Sequence, residues 1–355
     1  MTDLSSPLSF SNGMTMKNRF MLAPLTNQQS LPDGTLSPEE HDWLVLRAKG
    51  DFGSVMTAAG YVQLNGKGFE GQLGIDDDDK LPALARLARD IKAHDSIALF
   101  QLYHGGLRAL PELDVVGASD DKDTGGRAMT TAEVEAMIEA FVAGAERAQK
   151  AGFDGAELHG AHSYLLCQFL SSELNRRNDR FGGSLENRAR PVREIIDGIR
   201  QRCGKGFMLG LRLSPERMQI DTAEMVELTG QLMLEGNLDF IDMSLWDCFK
   251  EPADEAFKGQ SLIELFAGLE RGKTRLGVAG QIRDAKAVQD CLDAGADFVL
   301  IGRAAIAEHD FARLAAQDST HVTAEPPYSP AYLKDQGVSP AFIEYLKNFA
   351  FVADS

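Results

Sequence analysis

The chain has 355 residues, 44% hydrophobic and 25% charged, an ordinary balance for a globular protein that holds two average domains or one large α/β barrel. Its net charge of -17 argues against a nucleic-acid partner, which calls for basic patches, and no apolar run approaches the roughly 18 residues of a membrane span. The opening MTDLSSPLSF lacks the pattern of a secretory signal, and Cys167, Cys203, Cys248 and Cys291 lie too far apart for a Cys-x-x-Cys or cluster site, so free thiols in the cytoplasm are expected.

Apolar segments alternate with amphipathic ones along the chain. Strands are predicted near residues 19–25, 54–59, 97–103, 155–159, 207–213, 238–244, 274–279 and 298–302. Helices are predicted over 80–94, 131–150, 222–235, 284–294 and 304–316. Eight βα units fit a (β/α)8 barrel, although the spacing alone also allows a doubly wound sheet. No Pro/Gly/Ser linker divides the chain, so one domain over 1–355 is expected, with an insertion at 105–129 and a packing tail at 320–355. Barrels carry their chemistry at the C-terminal ends of the strands.

Strand one ends Ala23-Pro24-Leu25-Thr26, with proline at the exit where its missing N–H costs nothing; taken alone, Thr26 reads as a loop cap. Strand two ends in small residues, Ala58-Ala59-Gly60, which let a flat ring approach the backbone. The run Asp76–Asp79 reads as a solvated acidic turn before a helix. Strand three carries Gln101, a polar residue in an apolar strand, whose amide needs partners and offers both a donor and an acceptor. His104 reads as structural, and the glycine-containing insertion after it as a lid or substrate contact.

Strand four runs into His159-Gly160-Ala161-His162-Ser163-Tyr164. Gly160 permits a turn there, and a helix is predicted after Ser163. Two imidazoles and a phenol would then converge, which suits a substrate oxygen that gains negative charge. By itself the pair also fits two satisfied structural histidines, or zinc ligands. The loop that follows holds Arg176, Arg177, Arg180, Arg188 and Arg190, read as salt-bridged packing, and Ser184 as the cap of a helix near Leu185.

Strand five contains Arg212, costly in a barrel unless paired. After strand six, Trp246 either narrows a pocket or packs in the core. Strands seven and eight end at Gly280 and at Gly302-Arg303; glycine amides in these two loops, with a charged donor, make a phosphate site. The tail residues Phe342, Tyr345, Leu346, Phe349 and Phe351 have helical spacing and read as packing on the barrel or on a second subunit.

The run His159-x-x-His162-x-Tyr164, with Gln168-Phe169-Leu170, Asn175-x-Arg177-x-Asp179 and Gly182-Gly183-Ser184-x-Glu186-Asn187-Arg188, closely resembles the Old Yellow Enzyme family of flavin-dependent ene-reductases. Further matches extend the resemblance from about residue 10 to about 315, and it favours the barrel over the open sheet. It implies non-covalent FMN, reduced by NADPH or NADH. Pro24, Leu25 and Thr26 would lie beside the flavin, with Thr26 near its C4 carbonyl, where part of the family has cysteine. Ala58 would approach the ring, Gln101 would pair with its pyrimidine edge, and Arg212 would face its N1–C2 side. Gly280, Gly302 and Arg303 would hold the phosphate.

The implied reaction reduces the C=C bond of an α,β-unsaturated carbonyl or nitro compound. His159 and His162 would bind the substrate oxygen, Tyr164 would protonate the α-carbon, and Trp246 stands where relatives have small residues, at the substrate pocket. A free phenol is protonated at neutral pH, so it can act as an acid. A metal-dependent barrel hydrolase using His159 and His162, or a non-catalytic flavin redox sensor, are the rival readings. The expected partner is a small molecule, with no nucleic acid or membrane, in a monomer or homo-oligomer.

Overall fold

The computed structural model describes residues 3–353. Eight parallel strands close into one barrel: β1 (Phe20–Leu22), β2 (Ser54–Tyr61), β3 (Ile97–Tyr103), β4 (Gly155–Gly160), β5 (Met208–Leu213), β6 (Phe240–Ser244), β7 (Arg275–Ala279) and β8 (Phe298–Ile301), with β8 pairing back onto β1. The eight predicted strands are these, and the fold is a (β/α)8 barrel. Such strands are covered on both faces and so read as near-continuous apolar runs, as β2 and β3 do, with every residue buried.

Two cores result. One lies between strands and outer helices, and the other inside the barrel, where Met21, Met56, Leu99, Met208, Phe240 and Phe298 meet. A short antiparallel pair, Leu8–Ser9 with Thr15–Met16, places Phe10 edge-on against Phe240 and Phe298. This plugs the interior, so chemistry is confined to the opposite, C-terminal mouth.

The predicted helices at 131–150 and 222–235 form over those residues, and those at 80–94 and 284–294 as Leu81–Lys92 and Ala285–Asp293. The longest begins with a reciprocal cap between Thr130 and Glu133. Ser184 caps Leu185–Cys203 as expected. The helix predicted over 304–316 is broken into Arg303–Ala307 and Phe311–Gln317. Between the two pieces the His309 carbonyl lies against Gly50, so closely that a Cβ there would sit 2.0 Å from its oxygen. The helix Pro38–Lys49, capped by Ser37, was not among the predicted elements.

The aspartate run behaves as a turn: Asp76 pairs with Lys80, Asp77 caps Asp79 and Asp78 pairs with Arg147. The arginine loop is packing. Arg177 binds Asp179 and the carbonyls of Ala118 and Met129, Arg180 binds Glu194, and Arg188 binds Glu224. Arg177 thereby ties down the 105–129 insertion, whose strands Val116–Gly117 and Arg127–Ala128 pair with each other.

Candidate active site

The chain does not turn at Gly160. Strand β4 continues through it, and a Cβ at that position would lie 2.9 Å from the Arg212 carbonyl oxygen, so the glycine serves close strand approach. The turn is made instead by His162 (φ 60°) and Ser163 (φ 61°), two non-glycine residues in the left-handed region. That conformation costs of order 1–3 kcal/mol per residue and is held from outside. Ser214 Oγ accepts from the His162 N–H at 3.0 Å, Arg108 donates to the His162 carbonyl at 2.8 Å, and Gln168 donates to that of Ser163 at 2.7 Å. The strained turn swings His162 back over His159 and leads into the helix Leu165–Leu170, which starts behind Tyr164.

His159, His162 and Tyr164 therefore converge. Ring centroids are 5.1 Å apart for the two histidines, 4.9 Å for His159 and Tyr164, and 6.4 Å for His162 and Tyr164, all edge-to-face. Tyr103 packs edge-on against Tyr164 at 4.5 Å, and the Arg108 guanidinium sits over the Tyr164 ring at 5.0 Å.

Both imidazoles are held neutral. Burial pushes His159 well below its ordinary value, reinforced by His162 and Arg212. Burial, then Arg212 and Arg108, brings His162 down to about 3. His159 Nδ1 accepts from the Ala161 N–H at 3.3 Å, so its proton sits on Nε2. His162 Nε2 lies 2.8 Å from Ser244 Oγ, which also receives Arg212 Nη2 at 3.5 Å.

These groups open onto a cavity of about 370 Å³, a size usual for small-ligand sites. Pro24, Leu25, Thr26, Gln101, Arg212 and Arg303 share it with the two histidines and Tyr164. A neighbouring cavity of about 320 Å³ shares Pro24, Leu25, Arg212 and Arg303 and adds Gly280, Gln281, Gly302 and Trp246. The two form one trough from the histidines to the loops after β7 and β8. Arg212 stands where they join, its Nε 2.9 Å from Asp242 in an ion pair too poorly aligned for a hydrogen bond.

The lining departs from the expected residues at one position. Ala58 is buried outside the lining, and Ala59 takes its place. Met56 faces the barrel interior, so strict alternation points to Ala58, but the β2–β3 register shifts between Met56 and Ala59. The extra residue carries Ala59 inward, while Thr57 Oγ1 fills the ladder by accepting from Gln101 N at 3.2 Å. Trp246 is not core: it is 57% exposed, left-handed at φ 66°, stacked by Arg217 at 5.0 Å, and lines the second cavity and, with His162 and Ser244, a small cleft beside it. No residue of 105–129 lines the first cavity. His104 lies outside the lining too, its Nδ1 accepting from Gly106 N.

Sequence reasoning missed Tyr103 and Ser244, which share a strand face with Gln101 and Asp242 and were open to discovery by alternation. It also missed the tail as a wall: Tyr345, Leu346, Phe349 and Phe351 line the first cavity. Their amphipathic spacing carried no information about which surface they cover.

The sequence profile of the NADH:flavin oxidoreductase / NADH oxidase family matches residues 3–321. The chain is 36% identical over 313 residues to a probable NADH-dependent flavin oxidoreductase of Bacillus subtilis, covering 84% of each. It is 33% identical to an NADPH dehydrogenase of Bacillus licheniformis, covering 86% of this chain and 91% of that one. The solved structure of an old yellow enzyme homologue from Zymomonas mobilis shares the fold, with TM-score 0.80 at 23% identity over 94% of this chain and 99% of that chain. The chain belongs to the NADH:flavin oxidoreductase / NADH oxidase family, that of Old Yellow Enzyme, and is an NAD(P)H-dependent oxidoreductase whose cofactor is FMN.

Proposed function

We propose that this protein reduces the C=C bond of α,β-unsaturated carbonyl or nitro compounds. The observation that carries the reading is the convergence of two neutral imidazoles and a phenol on one cavity that also holds Arg212 and Gln101.

The trough fits FMN in chemistry. Small and apolar groups at Ala59, Pro24 and Leu25 suit the flat ring, and Gln101 brings an amide to its polar edge. Arg212 supplies a permanent cation. At the far end a Cβ at Gly280 would lie 3.0 Å from Cys248 N and 3.1 Å from Asp247 N, so glycine lets the loops after β6 and β7 pack closely, and Arg303 lines the same cavity. Thr26, Pro24, Leu25, Ala59, Gln101 and Arg212 would hold the ring, and Gly280, Gly302 and Arg303 the phosphate. Bound there, FMN would supply the hydride chemistry, from NADPH or NADH to the alkene β-carbon.

The chain's own groups do the rest. His159 presents Nε2–H to the substrate oxygen, and His162 is a second neutral donor, so charge developing on that oxygen is stabilised without a competing proton transfer. Tyr164 delivers a proton to the α-carbon. Tyr345, Phe349 and Phe351 form an apolar wall of the cavity. Among the described residues there is no group of three or more His, Cys, Asp or Glu that could hold a metal ion. No helix among the described residues is long and apolar enough to cross a membrane; the four free, buried cysteines fit a cytoplasmic setting, with the whole chain acting as one domain.

The test is anaerobic. The yellow protein is mixed with NADPH, then separately with NADH, and 2-cyclohexenone is added once the colour has bleached. Bleaching followed by return of colour is expected; bleaching that the enone does not reverse would defeat the assignment of the histidines and Tyr164 to alkene reduction.

A further inference from the structure

Four buried side chains stand on four neighbouring strands at the barrel mouth. Gln101 on β3, Glu157 on β4, Arg212 on β5 and Asp242 on β6 are exposed by 1, 0, 6 and 0%. Gln101 and Glu157 are direct partners across β3–β4, as Arg212 and Asp242 are across β5–β6. Gln101 and Arg212 face the trough, and the two acids stand behind them.

Gln101 Nε2 donates to Glu157 Oε1 at 2.7 Å, while Glu157 Oε2 has no partner. Arg212 is already balanced by Asp242 at 2.9 Å. The row thus holds two carboxyl groups and one guanidinium, and an ionised Glu157 would leave a buried, uncompensated negative charge. Burial, and then the proximity of Asp242, push Glu157 well above the usual carboxylate range, in agreement with that count. Neutral, it carries its proton on the free Oε2 and accepts through Oε1.

A side-chain amide has two ends of equal shape and opposite hydrogen-bonding sense. The bond to Glu157 uses one N–H of Gln101 and so decides which end is which. We propose that Glu157 is a positioning residue that anchors the Gln101 amide, so that its carbonyl oxygen and second N–H are presented to the pyrimidine edge of FMN. Because it does this as a neutral acid, it adds no negative charge beside Arg212. The inference rests on the contact of Gln101 with FMN proposed above.

The experiment uses the purified holoprotein, with FMN affinity read from the fluorescence of released flavin and the midpoint potential from a spectroscopic redox titration. Glu157→Gln keeps an acceptor oxygen without charge, so FMN affinity within about twofold of wild type and an unchanged potential at pH 7 are expected. Glu157→Met removes the anchor, and FMN affinity drops about 10-fold or more, the size of one lost buried hydrogen bond. Gln101→Met shows a similar loss, and the double variant shows no further one. Wild-type FMN affinity in Glu157→Met alongside a weakened Gln101→Met overturns the inference, as does a shifted potential in Glu157→Gln, an arm that decides even if Glu157→Met fails to fold. Wild-type affinity in Gln101→Met overturns the underlying contact and the inference with it. The alkene-reduction reading is judged separately, by the enone assay.

Discussion

Replacing Tyr164 by phenylalanine removes one oxygen and leaves the ring where it packs. The edge contacts with Tyr103 at 4.5 Å and His159 at 4.9 Å, and the Arg108 stack at 5.0 Å, are made by the ring and survive. The side chain is only partly buried, so the fold loses about 1 kcal/mol or less, the net worth of one hydrogen bond. In the proposed mechanism the reaction loses its acid. General acids contribute about 10²–10⁴-fold, or roughly 2.7–5.4 kcal/mol of barrier. Taking hydride from NAD(P)H needs no proton from this phenol, so the two half-reactions separate. The assay follows visible absorbance anaerobically, first as NADPH bleaches the variant and then as 2-cyclohexenone restores the colour. Bleaching at a near-normal rate with recolouring slowed about 100-fold or more is expected. Equal slowing of both phases, or undiminished recolouring, would refute the role of Tyr164.

Other consequences follow from the same geometry. Burial holds His104 and His162 at about 3 in the fold, against about 6.5 when unfolded, so the unfolded chain binds more protons and stability falls as pH drops below 6.5. Between pH 6.5 and 5 each histidine accounts for about 2 kcal/mol, and urea denaturation of His104→Asn at pH 7 and pH 5 should show a smaller drop than wild type; an equal drop would count against it. Gly210→Ala places a Cβ 2.1 Å from the Phe240 ring inside the packed barrel and should destabilise by about 1–3 kcal/mol, whereas Gly206→Ala, with nothing within 4 Å, should leave the melting temperature nearly unchanged. Phe349 is 58% exposed yet lines the cavity, so Phe349→Ala should shift stability by less than about 0.5 kcal/mol while raising the KM for 2-cyclohexenone about fivefold, the worth of roughly 1 kcal/mol of apolar contact; an unchanged KM would remove the tail from the substrate wall.

Much of this protein is written in local pattern. Eight apolar runs, each too short for a helix and alternating with amphipathic segments, are strands buried on both faces, and parallel strands need that coverage. Gln101 and Arg212 stand out because a polar or charged residue in such a run is expensive without a partner, and the structure places both on the trough. The order of Gly280 and Gly302-Arg303 marks the loops after β7 and β8 in the same way.

What the sequence left open depends on contacts between residues far apart in the chain. The bulge in β2 is set by pairing with β3, and it moves the inward position from Ala58 to Ala59. The turn at His162 and Ser163 breaks local preference, and Arg108 and Ser214 compensate from two distant segments, joined by Gln168 of the helix that follows the turn. Trp246 is left on the surface by a left-handed backbone that its apolar character does not foretell. The tail's aromatic spacing requires burial somewhere, but only the path that joins Tyr328 to Val352 lays Tyr345 and Phe351 over the mouth. Periodicity is a property of neighbours in the chain and fixes the barrel; a one-residue choice of face, or of the surface a tail covers, is fixed by partners that only the closed barrel brings together.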